Sequence, residues 1–329
     1  MTMSSPTVLI TILNWNDTRK TITCLDSVLR SDYPAFQVLV IDNGSKEDPK
    51  IFSRSENPKV IYIHNKRNLG FTGGSNQGIM YAEENGFDYV WLVNNDVTVE
   101  FSCLTLLINT VSQDASIGLA SPVLYNNPNE RNPIYYGGWF NQYDLKRKRA
   151  KDIADIQSWM TNEPESICID GTALLINLAL VKKIGYFDNA YFAYDEDIDY
   201  SIRSARAGFR NIIVPDAAAY HELRSVKCPK IPPHYYFYIA RNEFQLRRKN
   251  SIKSSGLLKD YLSWGIRLVI KYINENNQEA ATATMDGIWN ALFGKKSSFD
   301  HRIRLPGFLK RQLTKHPFIL LRIYSLLQD

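Results

Sequence analysis

Short β-branched runs recur along the first 125 residues, and each stops in a cluster of polar side chains. Runs at 7–13, 37–41, 60–64 and 89–93 read as strands. They alternate with amphipathic stretches at 18–30 and 75–84 that read as helices, the second starting after Gly73 and Gly74. Polar clusters at 14–17, 42–45, 65–74 and 94–96 follow directly on the strands. Strands separated by helical stretches build a largely parallel sheet, and ligands bind at its carboxyl edge. The expected fold is α/β, with a nucleotide-binding half in outline.

Further along, residues 135–151 turn aromatic, glycine-containing and then basic, which suits a hairpin or a mobile loop. A strand is expected over 166–176, a helix over 195–207 that stops at Gly208, and strand-like runs at 211–214 and 217–220. After Pro232 and Pro233 the pattern is helical, at 234–249, 256–274, 278–293 and 305–326. This divides the chain into a catalytic and nucleotide-binding domain over 1–224 and a mainly helical region over 225–329.

Charge divides at the same place. Up to Arg224 there are 21 Lys plus Arg against 27 Asp plus Glu, a balance of −6, and from Ser225 onward 18 against 7, a balance of +11. A basic tail suits nucleic acid, an anionic membrane surface or a polyanionic substrate. Nucleic acid is disfavoured, because the charges are spread over helices and no recognition motif accompanies them. In the tail, Leu258, Leu262, Ile266, Val269 and Ile273 recur at helical spacing among Lys259, Arg267 and Lys271. Phe308, Leu309, Leu313, Leu320 and Ile323 recur among Lys310, Arg311, Lys315 and Arg322. Such stripes either pack against the body or a second copy, giving a homodimer, or lie on a membrane as a peripheral anchor.

At 44% hydrophobic and 22% charged residues, the 329-residue chain is a folded protein rather than a disordered one. Its apolar runs fall well short of the roughly 20 residues of a spanning helix, and no leader pattern opens it. Cys24, Cys103, Cys168 and Cys228 form no CxxC pair, so buried thiols in a cytoplasmic protein, at most peripheral on the inner face of the membrane, are expected.

The polar clusters hold the candidate chemistry. Asp42 either accepts a ligand hydrogen bond or caps the turn through Asn43, Gly44 and Ser45. The glycine-rich stretch from Asn68 to Asn76 either admits a ligand to a helix N-terminus or makes a tight turn; it does not spell the GxGxxG of nicotinamide dehydrogenases. Asn94, Asn95 and Asp96 end a buried strand in oxygen-bearing side chains, which suit a hard divalent cation with Asp96 as its ligand, or else a helix cap. Asp195, Glu196, Asp197 and Asp199 crowd four carboxylates into five residues. Asp199 stands four before Arg203 and is assigned to an ion pair, which leaves Asp195, Glu196 and Asp197 as candidate general bases. His221 takes its meaning only from its neighbours.

In order, Asn14-Trp15-Asn16, Asp42 to Ser45, Asn68 to Gly78, Asn94 to Asp96, Asp170-Gly171, Phe187-Asp188, Asp195 to Asp199 and Gly208 resemble the inverting family 2 glycosyltransferases of GT-A fold, over roughly 8–224. The pattern is most similar to bacterial rhamnosyltransferases of surface polysaccharide synthesis, with galactofuranosyltransferases as near relatives. The resemblance implies a Rossmann-like mixed sheet flanked by helices, a nucleotide-sugar donor, a lipid-linked saccharide acceptor and Mg2+ or Mn2+. It implies transfer of L-rhamnose from dTDP-L-rhamnose, the alternatives being a UDP-sugar such as a galactofuranosyl donor, or a catalytically silent sugar-nucleotide-binding subunit.

The same resemblance places Asp42 at the base, and Asn14, Asn68, Gly70, Gly74, Asn76 and Asn95 along the donor. Asp170 and Gly171 would stand near the transferred sugar or the acceptor. Asp197 matches the general base, supported by Asp195 and Glu196, and His221 a metal ligand beside Asp96. Asn94 stands where many members carry Asp. Inversion by single displacement also needs charge stabilisation on the leaving diphosphate, for which Arg224 and Lys227 are the expected side chains.

Overall fold

A computed structural model describes residues 5–46, 57–129, 132–221, 231–251, 256–294 and 299–326. The chain divides into two compact units, one of residues 1–141, 146–189 and 196–227, the other of 142–145, 190–195 and 228–329.

In the first unit the strands are β1 (Val8–Asn14), β2 (Phe36–Asp42), β3 (Val60–His64), β4 (Tyr89–Asn94), β5 (Val97–Val99), β6 (Ile117–Tyr125), β7 (Pro133–Tyr135), β8 (Gly138–Phe140), β9 (Arg147–Arg149), β10 (Ile167–Cys168), β11 (Ala173–Asn177) and β12 (Arg210–His221). One sheet runs β3-β2-β1-β4-β11-β6-β12-β5 with β7 beside β6, and a small sheet runs β10-β8-β9. The β3-β2-β1-β4 half is parallel, and β11 enters antiparallel between β4 and β6. This is a GT-A-type mixed sheet flanked by helices. Val8, Leu9, Ile10 and Ile12 of β1, Val38 to Ile41 of β2 and Trp91 of β4 are fully buried. Helices cover both faces, so these strands read as continuous apolar runs instead of alternating ones.

Helix α1 (Thr18–Leu29) opens on Asp17, whose carboxylate accepts from the Lys20 amide at 3.3 Å, and it buries Thr21, Cys24, Leu25 and Val28 at helical spacing. Helix α2 (Gly70–Glu84) starts well before Ser75. The glycine-rich stretch is thus largely the helix itself, and Gly74 and Gly78 let it pack closely on β1. A Cβ on Gly74 would come within 2.4 Å of the Leu13 side chain, and one on Gly78 within 2.5 Å of Thr11. Gly70 is required differently, by its left-handed φ of 78°. Gly74→Ala should therefore destabilise the protein by about 1–3 kcal/mol through overpacking; equilibrium urea unfolding reads this, and an unchanged midpoint would refute the close-packing role.

Helices α3 (Cys103–Val111), α4 (Ile153–Asn162), α5 (Leu178–Ile184) and α6 (Glu196–Arg206) complete the first unit. The segment 135–151 contains the hairpin β8-β9, with Lys148 over the Trp139 ring at 4.5 Å. The strand expected over 166–176 is two, β10 and β11, in different sheets. Between them the amides of Ile169, Asp170 and Gly171 donate to side chains of Ser201, Tyr135 and Asp197, so no ladder continues there. The runs at 211–214 and 217–220 are one strand, β12, with a register shift between Val214 and Ala218.

The second unit holds α7 (Pro233–Asn250), α8 (Leu257–Asn274), α9 (Gln278–Phe293), α10 (Gly307–Lys315) and α11 (Phe318–Leu326). Pro317, with no amide hydrogen, breaks the single helix expected over 305–326. Ile266 and Val269 of the α8 stripe are buried with Ala281, Met285, Leu305 and Leu320, so that stripe packs inside its own unit. Lys310 is bound to Asp286 at 2.6 Å. Cys24, Cys103 and Cys168 are buried free thiols, while Cys228 lies outside the described residues. Among the described residues no helix is long and apolar enough to cross a membrane.

Candidate functional site

The parallel register brings Asn14, Asp42 and His64 level at the carboxyl edge, since Asn14 pairs with Asp42 and Asp42 with His64 across adjacent strands. Asp42 is completely buried. Its Oδ1 accepts from Asn14 Nδ2 at 2.9 Å and from the Ser45 hydroxyl, and its Oδ2 meets His64 Nδ1 at 2.7 Å. Asn14 Oδ1 in turn accepts from Thr21. The Asp42 carboxylate, expected at the donor base, is thus enclosed by protein donors, and the imidazole of His64, 40% exposed, is the solvent-facing member of the pair. Sequence reasoning missed His64; the available signal was that it closes β3 as Asp42 closes β2.

Beside it, Asn43 donates to Asn68 Oδ1 and to the Gly70 carbonyl, and Asn68 Oδ1 also accepts from the Gly70 amide. Asn65 and Gln77 exchange amide hydrogen bonds at 2.7 and 2.9 Å. Asn76, expected along the donor, instead bonds the Phe187 backbone and Asn189. Gly74 packs against the Leu13 side chain. Asn95 donates to Thr21 Oγ1 at 3.0 Å and thereby anchors the turn after β4 to α1. The Asn94 backbone is held by the Thr172 carbonyl and the Cys24 thiol.

Asp96 sits between β4 and β5, and antiparallel pairing of β5 with the end of β12 sets Val97 opposite His221. His221 Nε2 therefore lies 3.2 Å from Asp96 Oδ1. Burial of Asp96 opposes its ionisation, but the hydrogen bond and charge of His221, with Lys20 farther out, outweigh it and hold the carboxyl below its ordinary value. A cleft of about 650 Å³ opens here, lined by Asp17, Lys20, Asn95, Asp96, Asn126 and Tyr220 among others. Among the described residues no group of three or more His, Cys, Asp or Glu side chains converges as a metal cage. A carboxylate lining an open cleft, with an imidazole 3.2 Å behind it, still fits a divalent ion that takes its other ligands from water and substrate phosphate. Arg224 and Lys227 lie outside the described residues.

Asp197 lies in the first turn of α6 and is partly exposed, whereas Asp195 and Glu196 are buried at 7% and 3% exposure. Its Oδ2 accepts from the Gly171 amide at 2.7 Å, and its Oδ1 from the Ile198 amide at 2.8 Å. Burial and the adjacent charge of Asp170 push the Asp197 carboxyl up to about 6, against the pull of those amides and of Arg147. Asp170 is paired with Arg149 at 3.0 Å. Arg147 and Arg149 come from β9 and were not foreseen. Asp199 bonds Arg203 Nε at 2.9 Å, the structural pair that the spacing predicts.

Residues 8–164 match the Glycosyl transferase family 2 pattern. A family 2 glycosyltransferase domain thus spans residues 8–164. It is 24% identical over 180 residues to the low-salt glycan biosynthesis hexosyltransferase Agl10 of Haloferax volcanii, covering 52% of this chain and 53% of that protein. It is 23% identical over 212 residues to an N-acetylglucosaminyl-diphospho-decaprenol L-rhamnosyltransferase of Mycobacterium tuberculosis, covering 56% and 66% respectively. The galactofuranosyltransferase GlfT1 of the same species is 23% identical over 238 residues, covering 69% of this chain and 75% of that protein. The alignments thus span only about half to two thirds of the first two relatives. Among solved structures, a mannosyltransferase from Pyrobaculum calidifontis in complex with GDP-Man and Mn2+ shares the fold over 99% of this chain and 85% of its own, at TM-score 0.55 and 17% identity. GalNAc-T7 with UDP, GalNAc and Mn2+ shares it over 88% of this chain and 56% of its own, at TM-score 0.61 and 16% identity.

A carboxyl raised in the folded state contributes stability that is fully present below its unfolded value and lost as pH rises through about 6. The melting temperature of Asp197→Asn relative to the unsubstituted protein should therefore increase between about pH 4 and pH 7, because the asparagine has no charge to form. Thermal scans across that range check this; a difference independent of pH would mean that Asp197 is not raised.

Proposed function

We propose that this protein is an inverting glycosyltransferase that moves L-rhamnose from dTDP-L-rhamnose to a lipid-linked saccharide acceptor, with Asp197 as the general base. The observation that carries the reading is the Asp197 carboxyl, held by the Gly171 and Ile198 amides beside Asp170 and raised to about 6, in the same compact unit as the family 2 glycosyltransferase match over residues 8–164. A base of that strength is ionised at neutral pH yet still takes a proton in the transition state. An Asp197 oxygen removes the proton of the acceptor hydroxyl as that oxygen attacks the anomeric carbon. The bond from this carbon to the leaving diphosphate breaks on the opposite face, so configuration inverts. Asp96 and His221 would hold Mg2+ or Mn2+, which when bound supplies charge neutralisation for the leaving diphosphate. The rhamnosyl and lipid-linked assignments draw support from the mycobacterial relative's name, and the competing UDP-galactofuranosyl donor from GlfT1.

Asp197→Asn should lower transfer by about 10²- to 10⁴-fold with donor binding retained. Asp96→Ala should remove metal-dependent donor binding. A panel of nucleotide sugars, read by protection from thermal unfolding, assigns the donor. Best protection by a purine nucleotide sugar would refute the pyrimidine assignment, and donor binding without turnover would favour the silent-subunit alternative.

We assign catalysis to 1–224 and contact with the cytoplasmic face of a membrane to 225–329. Phe308, Leu321 and Leu326 are exposed at 61%, 53% and 68% on α10 and α11, which also carry Arg311, Lys315 and Arg322. Each basic residue near an anionic surface contributes about 1 kcal/mol. Flotation with anionic but not neutral vesicles is expected, weakened by salt and by reversing these three charges; no flotation, with a dimer that dissociates on deleting 305–329, would give the face to a second copy instead.

A further inference from the structure

Phe192, Tyr194 and Asp195 adopt left-handed backbone, with φ of 65°, 69° and 64°. Side chains other than glycine seldom occupy this region, and a run of them survives only where neighbours over-determine the path. Helix α7, in the same compact unit, does so. Asn242 Nδ2 donates to the carbonyls of Ala193 at 2.8 Å and Tyr194 at 2.7 Å. Arg241 donates to the Ala190 and Tyr191 carbonyls and, through Nε, to Asn242 Oδ1 at 2.9 Å. The guanidinium thereby fixes which way the amide of Asn242 points. Phe192 stacks on Tyr238 at 5.3 Å, and Tyr194 meets Tyr235 edge-on at 5.1 Å. Asn242 has no exposed surface.

The chemistry is specific to this pair. A side-chain amide brings two N–H donors for the backbone carbonyls together with an oxygen that accepts from the guanidinium, a set that neither a hydroxyl nor a carboxylate supplies, and aspartate at 242 would set a carboxylate against carbonyl oxygens. From Asp195 the chain passes directly into Glu196 and Asp197. We propose that Arg241 and Asn242 are positioning residues for catalysis, holding 190–195 in the strained path that sets where α6 begins and hence where the Asp197 carboxylate stands. The proposal rests on Asp197 being the general base. Strain stored immediately before a catalytic group is a means of holding that group in its working orientation, and a displacement near 1 Å costs on the order of 10²-fold in rate.

The test compares the unsubstituted protein with Asn242→Ala, Arg241→Lys and Val269→Ala, the last a buried site of the same unit that controls for lost stability. Each is assayed for kcat and donor KM from about pH 5 to pH 8, and for amide hydrogen exchange in peptides covering 190–199. Both clamp variants should lose kcat by about 10- to 100-fold with donor KM within about twofold, shift the acid limb of the pH profile, and exchange faster in 190–199. Val269→Ala should change none of these. If Asn242→Ala does not fold, Arg241→Lys carries the test, since it keeps the charge and loses the forked hydrogen bonds. Unchanged kcat and exchange in a folded clamp variant would overturn the proposal, as would an equal kcat loss in Val269→Ala. If the unsubstituted protein turns over no nucleotide sugar, the glycosyltransferase reading itself fails, and the exchange measurement alone decides whether the clamp exists.

Discussion

At the carboxyl edge of the sheet the ladder of backbone hydrogen bonds runs out, and the remaining architecture follows from how the last polar groups there are satisfied. Neutral amides and hydroxyls do most of it. Asn14, Thr21 and Ser45 surround Asp42, while Asn43, Asn65, Asn68 and Gln77 tie the end of β2 to the turn entering α2. Such side chains lock one another in place, because each donor lost would leave a buried acceptor unsatisfied. An edge saturated in this way gives rigid walls to the groups facing the cleft.

The carboxylates are then sorted by the company each one keeps. Asp42 is enclosed by neutral donors and one imidazole, and Asp199 by the Arg203 guanidinium. Around Asp96 burial opposes ionisation, but His221, Lys20 and a backbone hydrogen bond together outweigh it and hold the carboxyl below its ordinary value, which suits a cation. Asp197 has amide donors, but burial and the like charge of Asp170 outweigh them, and the balance goes the other way. Carboxylates of similar chemistry thus differ in ionisation and in partners through differences in their neighbours alone, and the proposed function assigns them support, cation binding and proton transfer.

Much of this was legible beforehand. The early strands, the capped helix α1 and the helical tail follow local periodicity, and the Asp199–Arg203 pair follows from spacing within one helix. The glycine-rich stretch was less legible, because small residues serve ligand approach and helix–sheet packing equally well, and the packing use became visible only with the positions of Leu13 and Thr11. The strand expected over 166–176 looked continuous because Ile169, flanking Asp170 and Gly171, keeps the run apolar; the amides there are claimed by side chains distant in sequence.

The amino-acid order by itself determined the early strands, the helices α1 and α6 and the helical character of the tail, that polar residues collect where strands end, and that a carboxylate cluster opens α6, since each depends on interactions within a few residues. Only the tertiary structure decided that His221 meets Asp96, that His64 meets Asp42, that Asp170 raises Asp197, and that α7 holds the path into the carboxylates. Those contacts depend on strand order and register across the sheet and, within the second unit, on α7 meeting residues 190–195. Local propensity does not encode them, because the free energy that selects one arrangement comes from burying the whole core at once.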